Sequence, residues 1–264
     1  MNTSDLRILQ VSDCHLYADP AATLLGLNTL DALQQVLDSA CAENKPDMIV
    51  VTGDLVHDGS KAGYRALART LDRTRCRSAV IPGNHDHVPN MRSVLDQHQI
   101  PSTGQINIRN WRLILLNSQL PGEEYGHLSS NELELLENAL MDSPANILIF
   151  LHHQPVPIGS KWLDNIGLDN GQELFSRIKG NTAVKGILWG HVHQSWQGQF
   201  GHIQLLATPS TCIQFSPKED EFSLTAEPPG WRMLHLGGQG ELRSEIHYLQ
   251  DMPEGLIADS AGYR

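Results

Sequence analysis

The feature that most constrains the fold is a set of six short apolar runs, most of them separated by segments with helical periodicity. The runs cover residues 7–11, 48–51, 79–81, 113–116, 147–151 and 186–189. Each has the length of a buried β-strand rather than that of a helix. Strands that alternate with helices predict an α/β fold with parallel strand pairs.

Four intervening segments have the signals of helices. The predicted helices are residues 28–44, a segment after Gly59, a segment from Ser129 and a short stretch near 172–178. Asn28 is a candidate N-cap for the first of them. Ser129 is followed three residues later by Glu132, which predicts a capping box at the start of the third.

The pattern changes after Trp189, where strand-like runs follow one another without helices. These runs cover residues 194–200, 202–208 and 231–236. They predict a second, more antiparallel sheet. Because the chain has no repeat and no linker, a single domain over residues 1–250 is favoured. Residues 251–264 have weak periodicity and are predicted to form a loosely held C-terminal tail.

Composition narrows the possible partners. The chain has 264 residues, of which 40 % are hydrophobic and 19 % charged, as in an ordinary soluble globular protein. A net charge of −11 argues against nucleic-acid binding, which needs a basic face. Four scattered cysteines and the absence of a long apolar run favour a cytoplasmic protein without a membrane span. The sequence makes no prediction of the oligomeric state.

Five polar clusters come directly after predicted strands. They are Ser12-Asp13-Cys14-His15, Gly53-Asp54, Gly83-Asn84-His85-Asp86, His152-His153 and Gly190-His191-Val192-His193. The carboxyl ends of strands in an open α/β sheet form the crevice where ligands bind. We therefore expect the five clusters to converge on one site.

The residue types in these clusters suit metal ions. Aspartate, asparagine and histidine supply oxygen and imidazole donors. In Asp13-x-His15 and His191-x-His193 the paired side chains are expected on one face of an extended segment, roughly 6–7 Å apart. A single Asp or His after a strand is usually a cap or a turn residue, but all five clusters in order predict a metal site.

These residues resemble the calcineurin-like metallophosphoesterase family, whose pattern D-x-H, G-D, G-N-H-[DE], H and G-H-x-H is complete between residues 7 and 193. The resemblance implies a four-layer α/β/β/α sandwich of two mixed sheets, with a dinuclear metal site at the strand C-terminal ends. It implies two divalent ions, most commonly Fe²⁺ or Mn²⁺. The implied ligands are Asp13, His15 and His193 for the first ion, Asn84, His152 and His191 for the second, and Asp54 for both.

The same resemblance implies a reaction. Two cations can share a hydroxide that attacks a phosphodiester in line, and a carboxylate with two oxygens suits the bridging position of Asp54. His85 lies beside the metals without binding them and assists the leaving group. Asp54 and His85 are thus the predicted catalytic residues. Asp86 is expected either to orient His85 or a neighbouring loop, or to form part of a turn.

Longer stretches resemble the bacterial class III cyclic-AMP phosphodiesterases. They include residues 24–31, 53–60, 152–170 and 207–215. The implied substrate is 3',5'-cyclic AMP; a 2',3'-cyclic nucleotide, a glycerophosphodiester and a non-catalytic scaffold are the alternatives. Trp162 could stack on a base or fill a gap between loops. The predicted substrate-binding residues are His15, Asp54, Asn84, His85, His193 and Trp162.

Two further histidines adjoin the predicted ligands. His57 and His153 could orient neighbouring ligands through hydrogen bonds, or serve only to pack the site.

Overall fold

The computed structural model describes residues 5–43, 45–141, 146–257 and 262, which form three sheets and six α-helices. The strands are β1 (Leu6–Val11), β2 (Thr23–Leu24), β3 (Leu27–Asn28), β4 (Met48–Thr52), β5 (Arg77–Ile81), β6 (Gly104–Ile108), β7 (Trp111–Leu115), β8 (Asn146–Phe150), β9 (Val184–Trp189), β10 (Trp196–Phe200), β11 (Ile203–Ala207), β12 (Gly230–Leu236) and β13 (Leu242–Tyr248). The helices are α1 (Thr29–Glu43), α2 (Lys61–Thr74), α3 (Val88–Leu95), α4 (Ser130–Met141), α5 (Lys161–Asp164) and α6 (Gly171–Ile178). A 3₁₀ turn at Asp96–His98 follows α3.

Both large sheets are mixed. The five-stranded sheet has the order β13-β12-β1-β4-β5, in which β1, β4 and β5 are parallel and β12 and β13 pair antiparallel. The six-stranded sheet has the order β10-β11-β9-β8-β7-β6, with β7, β8, β9 and β11 parallel and an antiparallel strand at each edge. The strands β2 and β3 form a separate short hairpin.

The fold has four layers because side chains on both faces of each sheet are buried. In β4, Met48 and Val50 pack into the apolar cluster between the two sheets, while Ile49 and Val51 pack against α1 and α2. The second sheet follows the same rule: Leu148 and Phe150 of β8 face the first sheet, and its Ile147 and Ile149 pack on the side of α4 and α6. Successive strand side chains point to opposite faces, so each sheet buries both. The predicted α/β/β/α sandwich of two mixed sheets is confirmed.

The structure confirms the predicted caps at the starts of α1 and α4, but the Glu132 side chain does not have its predicted role. Asn28 Oδ1 accepts from the backbone N–H of Asp31 at 2.9 Å, as an N-cap does. Ser129 Oγ accepts from the N–H of Glu132 at 3.3 Å, but the Glu132 carboxylate does not complete the capping box. It instead accepts from the N–H of Asn117 at 2.9 Å, because a backbone donor on the neighbouring loop lies within its reach.

The expectation that the runs after Trp189 form a second, more antiparallel sheet is wrong. The strands β10 and β11 extend the sheet that contains β9, and β11 runs parallel to β9. The strand β12 joins the other sheet, where Leu6 of β1 lies opposite Leu236. The apolar pattern of a run indicates which faces of a strand are buried. It does not indicate which strand pairs with it.

Part of the predicted tail is attached to the body. The backbone N–H of Ile257 donates to the carbonyl of Leu25 at 2.8 Å, and Met252 and Leu256 pack against the apolar core. Loose attachment therefore does not describe residues 251–257. Residues 258–261, 263 and 264 lie outside the described part, and the domain boundary at residue 250 stays a prediction. None of the described helices combines the length and apolar character that a membrane span needs.

Candidate functional site

Every predicted site residue except Trp162 lies in a loop that directly follows a parallel strand. Asp13 and His15 follow β1, Asp54 follows β4, and Asn84 and His85 follow β5, all in the first sheet. The second sheet supplies His152 after β8, and His191 and His193 after β9. The site therefore lies where the carboxyl ends of strands from the two sheets meet.

The local backbone differs from the extended segments that were expected. Left-handed φ angles occur at Asp13 (55°), His15 (44°), Asp54 (48°), His191 (66°) and His193 (43°). Asp-x-His and His-x-His are thus not extended, and the expectation of side chains on one face of an extended segment is wrong. Left-handed conformations cost free energy for residues other than glycine and cluster at functional sites, where the surrounding structure imposes them.

The first donor group comprises Asp13, His15 and His193, all of them buried. The Nε2 atoms of His15 and His193 are 3.2 Å apart, and His193 Nε2 is 3.5 Å from Asp13 Oδ1. Asp13 also accepts from the backbone N–H of His191, at 3.0 Å to Oδ1 and 3.2 Å to Oδ2. This contact joins the loops of the two sheets.

The second donor group lies on the other side of Asp54. His152 Nε2 is 3.2 Å from Asn84 Oδ1 and 3.4 Å from Asp54 Oδ2. The rings of His152 and His191 meet edge to face, with centroids 5.0 Å apart. His191 Nε2 is buried and has no hydrogen-bond partner among the described residues. A buried imidazole nitrogen without a partner is costly unless a ligand satisfies it.

Asp54 stands between the two donor groups. Its Oδ2 lies 3.7 Å from His15 Nε2 and 3.4 Å from His152 Nε2. Its Oδ1 accepts from the backbone N–H of His85 at 3.0 Å. A single carboxylate oxygen therefore faces both groups, rather than one oxygen facing each. The His85 ring lies 4.9 Å from that of His15, beside the donor cluster.

Two of the predicted ligand histidines have Nδ1 held by a backbone carbonyl. His152 Nδ1 donates to the carbonyl of Thr52 at 2.7 Å, and His193 Nδ1 donates to that of Ile213 at 2.8 Å. A carbonyl only accepts, so each Nδ1 bears a proton and Nε2 is the ring nitrogen that faces the cluster. Converging nitrogen and carboxylate donors, together with the unpartnered Nε2 of His191, fit two divalent metal ions.

Burial and charge set the protonation states of the metal-free cluster. Burial holds the pKa of His15 well below its ordinary value and lowers that of His191 to about 3. Burial would also lower the pKa of His152, but the charge and hydrogen bond of Asp54 outweigh it and raise this pKa to about 9. Burial opposes ionisation of Asp54, yet His152 and His85 hold its pKa well below the usual range. A metal ion bound by His152 Nε2 would therefore displace a proton from this ring.

Asp86 connects two of the site loops. Its carboxylate accepts from the backbone N–H groups of Leu55, Val56 and Gly83 at 2.9–3.1 Å, and from the hydroxyl of Tyr64 at 2.9 Å. Both expected roles fit: the carboxylate orients the two loops, and the backbone N–H of Asp86 donates to the carbonyl of Gly83 at 3.2 Å within a turn. Gly83 also permits a close approach, because a Cβ there would lie 2.2 Å from Asp54 Oδ1.

Part of the donor cluster forms the floor of a cavity of about 790 Å³. Asp54, Asn84, His85 and His191 line its floor, and Trp162 lines its wall. Trp162 lies in the single helical turn α5 rather than in the irregular loop expected from the sequence. It also packs against the apolar core, so its ring is both a packing residue and part of the cavity wall.

Several cavity residues were not identified from the sequence. Phe215 stacks on the His193 ring with a centroid distance of 4.2 Å, and Trp162 contacts Phe215 at 4.9 Å and Phe222 at 5.6 Å. The exposed Glu123 and Glu124 complete the rim. Phe215 falls in a stretch that resembles the phosphodiesterases, which is a usable signal. Phe222 and the two glutamates lie in segments without a motif.

The comparisons with known proteins agree with this architecture. Residues 6–195 match the family described as calcineurin-like phosphoesterase. The chain is 41 % identical over 261 residues to the Escherichia coli K12 protein named 3',5'-cyclic adenosine monophosphate phosphodiesterase CpdA, which spans 98 % of this chain and 95 % of that protein. It is 39 % identical over 252 residues to the Vibrio vulnificus protein of the same name, with 94 % and 92 % covered.

A solved structure supports the fold independently. A dimetal phosphatase from Danio rerio aligns with a TM-score of 0.66 and 17 % sequence identity, over 92 % of this chain and 99 % of that chain. The family match covers most of the chain, and it includes every predicted donor residue. The chain belongs to the calcineurin-like phosphoesterase family.

Proposed function

We propose that the chain is a two-metal phosphodiesterase that hydrolyses 3',5'-cyclic AMP to 5'-AMP. The observation that carries the reaction class is the convergence of two donor groups on Asp54 at the floor of the cavity. The choice of substrate is supported by relatives that are 37–41 % identical over 93–98 % of this chain, whose names specify cyclic AMP.

The donor types suggest how two ions would be held. Asp13, His15 and His193 would bind one ion, Asn84, His152 and His191 the other, and Asp54 Oδ2 both. Bound there, two divalent ions would lower the pKa of water and neutralise charge on the phosphate. The mixture of imidazole and carboxylate donors suits first-row ions, and we propose Fe²⁺ or Mn²⁺.

The remaining chemistry belongs to the protein. Water adds to phosphorus, the P–O3' bond breaks, and the 3' oxygen leaves as a poor alkoxide unless it is protonated. We assign that proton to His85, whose ring lines the cavity beside the donor cluster. Its backbone N–H, held by Asp54 Oδ1, fixes the ring relative to the predicted bridging carboxylate. Asn84 and His85 would also contact the phosphate, together with His15, Asp54 and His193.

The cavity wall supplies a surface for the nucleoside. We propose that adenine lies against Trp162, because an indole ring can stack on a base. The four cysteines carry no disulfide, which favours a reducing compartment, and we place the reaction in the cytoplasm.

A substrate panel tests this proposal. Mn²⁺-reconstituted protein would be assayed with 3',5'-cyclic AMP, 2',3'-cyclic AMP, glycerophosphocholine and bis(nitrophenyl) phosphate, with metal content measured by elemental analysis. Among the three diesters with alkoxide leaving groups we expect the highest kcat/KM for 3',5'-cyclic AMP, and we expect loss of both metal and activity in Asp54→Ala. A higher kcat/KM for 2',3'-cyclic AMP or glycerophosphocholine would contradict the substrate, and an inactive wild-type protein with two bound ions would contradict the enzyme.

A further inference from the structure

The Nδ1 atoms of three predicted ligand histidines are all engaged, but the third has a different partner. Backbone carbonyls hold His152 and His193, at 2.7 and 2.8 Å. His15 Nδ1 instead lies 3.0 Å from Nδ1 of His57, which is another imidazole. A carbonyl can only accept a hydrogen bond, whereas an imidazole nitrogen can accept or donate.

The chemistry of a metal ligand decides the direction of this hydrogen bond. His15 Nε2 faces the donor cluster, 3.2 Å from His193 Nε2 and 3.7 Å from Asp54 Oδ2. If a neutral His15 is to bind a cation through Nε2, its ring proton must be on Nδ1. His57 Nδ1 must then accept a hydrogen bond from this N–H, and a neutral His57 carries its own proton on Nε2.

His57 also contacts the residue assigned to the leaving group. Its ring stacks on that of His85 with a centroid distance of 4.5 Å and an interplanar angle of 21°. Both rings line the cavity. One side chain therefore contacts a predicted metal ligand and the predicted acid.

The backbone position of His57 does not depend on its side chain. Its N–H donates to the carbonyl of Leu16 at 2.8 Å, and Val56 pairs with Leu16 in an isolated parallel bridge. The His57 side chain is only partly buried. Substitutions there should alter the two ring contacts without unfolding the loop.

We propose that His57 is a positioning residue that fixes His15 in the tautomer that binds a divalent cation and holds the His85 ring by stacking. The assignment of His15 as a ligand comes from the proposed function, so this inference rests on it. The two contacts use different features of the ring: one needs an acceptor at the Nδ1 position, and the other needs an aromatic face. Two substitutions can separate them.

The first measurement is metal affinity, which requires no substrate. Mn²⁺ would be titrated calorimetrically into chelator-treated wild-type, His57→Phe and His57→Asn proteins. Phenylalanine keeps a ring but loses the acceptor, so we expect the Kd of one of the two Mn²⁺ sites to rise about 10- to 100-fold. Asparagine can place its amide oxygen near the Nδ1 position, so we expect His57→Asn to restore a Kd close to that of the wild type.

The second measurement separates metal binding from turnover of cyclic AMP. His57→Phe should recover most of its kcat in excess Mn²⁺, because the ring on His85 is kept. His57→Asn should bind Mn²⁺ normally and keep a lowered kcat, because the stacked ring is gone. His98→Phe is the matched control, since His98 is paired with Asp72 at 2.9 Å and lies outside the cavity lining.

The outcomes distinguish this inference from the proposed function. A wild-type protein that binds two Mn²⁺ ions, with both Kd values unchanged in His57→Phe, would overturn the role of His57 alone. Equal weakening in His57→Phe and His57→Asn would also overturn it, because it would indicate only lost packing. A wild-type protein that binds no Mn²⁺ would contradict the two-metal assignment and this inference with it.

Discussion

His85 combines a fixed backbone with a ring that lines the cavity. In His85→Ala the N–H that donates to Asp54 Oδ1 remains, so metal content should be retained. We expect kcat for cyclic AMP to fall about 10²- to 10⁴-fold, as on loss of a general acid. The fall should be smaller for bis(nitrophenyl) phosphate, whose leaving group needs no proton. Steady-state kinetics with both substrates decides this, and equal losses would exclude proton donation by His85.

Trp162 both packs against the core and lines the cavity, so its two roles need separate readouts. We expect Trp162→Ala to lower kcat/KM for cyclic AMP about 5- to 100-fold through lost stacking on the base. Hydrolysis of bis(nitrophenyl) phosphate, which has no nucleoside, should change little. Trp196→Ala is the control for general packing loss, because Trp196 packs on Trp189 at 5.5 Å and does not line the cavity. Equal losses of kcat/KM on both substrates would show that Trp162 packs against the core and does not stack on the base.

At the residue scale, the sequence predicted identities better than conformations. The order of motifs predicted which donor side chains would meet, because strand ends bring them to one edge. It did not predict the left-handed backbone at Asp13 and His15, whose N–H groups donate to the carbonyls of Gly53 and Asp54 in the loop after β4. Phe222 lies far from every motif in the chain, and only the tertiary fold brings it to the cavity.

At the element scale, Asp86 joins the loop after β4 to the loop after β5. Asp86→Ala would leave the backbone N–H groups of Leu55, Val56 and Gly83 without their acceptor in a buried position. Since each such loss costs about 1–3 kcal/mol, we expect the free energy of unfolding to fall by at least about 3 kcal/mol. Urea denaturation of metal-free protein measures this.

Asp58→Ala is the matched control for that prediction. The Asp58 carboxylate also accepts from two backbone N–H groups, those of Ala18 and Ser60, at 2.9 and 3.1 Å. These contacts are exposed, so water can replace the carboxylate and the loss should be under about 1 kcal/mol. Equal destabilisation by the two substitutions would show that burial of the Asp86 contacts has no importance.

The elements themselves were predictable where their signals are local. Asn28 and Ser129 mark helix starts through hydrogen bonds within one turn, and the structure contains both. The partner of β12 was not predictable, since Leu236 pairs with Leu6 at the other end of the chain. The turn α5 was also missed, because Lys161–Asp164 is too short for a periodic pattern.

At the scale of the whole molecule, pH and metal should be linked through His152. In the metal-free fold Asp54 raises the pKa of His152 to about 9, above the ordinary 6.5 of an unfolded chain. The interaction of protonated His152 with Asp54 contributes stability that is complete below pH 6.5 and is lost as the pH rises through 9. Between these values the folded state still holds a proton that the unfolded state has released.

Metal binding should remove this dependence of stability on pH, because a metal ion would take the place of the proton on His152 Nε2. We therefore expect the Tm of chelator-treated protein to fall between pH 6.5 and pH 9 more steeply than the Tm of Mn²⁺-loaded protein. Differential scanning calorimetry at both pH values measures this. The same fall with and without Mn²⁺ would contradict the linkage of His152 to the metal site.

The central claim is that water adds to the phosphorus of 3',5'-cyclic AMP and that the P–O3' bond breaks. Mass spectrometry of the nucleotide formed by Mn²⁺-loaded protein in H₂¹⁸O tests it most directly. Attack of water at phosphorus predicts 5'-AMP with one ¹⁸O in its phosphate, and we expect no product from Asp54→Ala. Release of 3'-AMP, or no turnover by protein that contains two metal ions per chain, would contradict it.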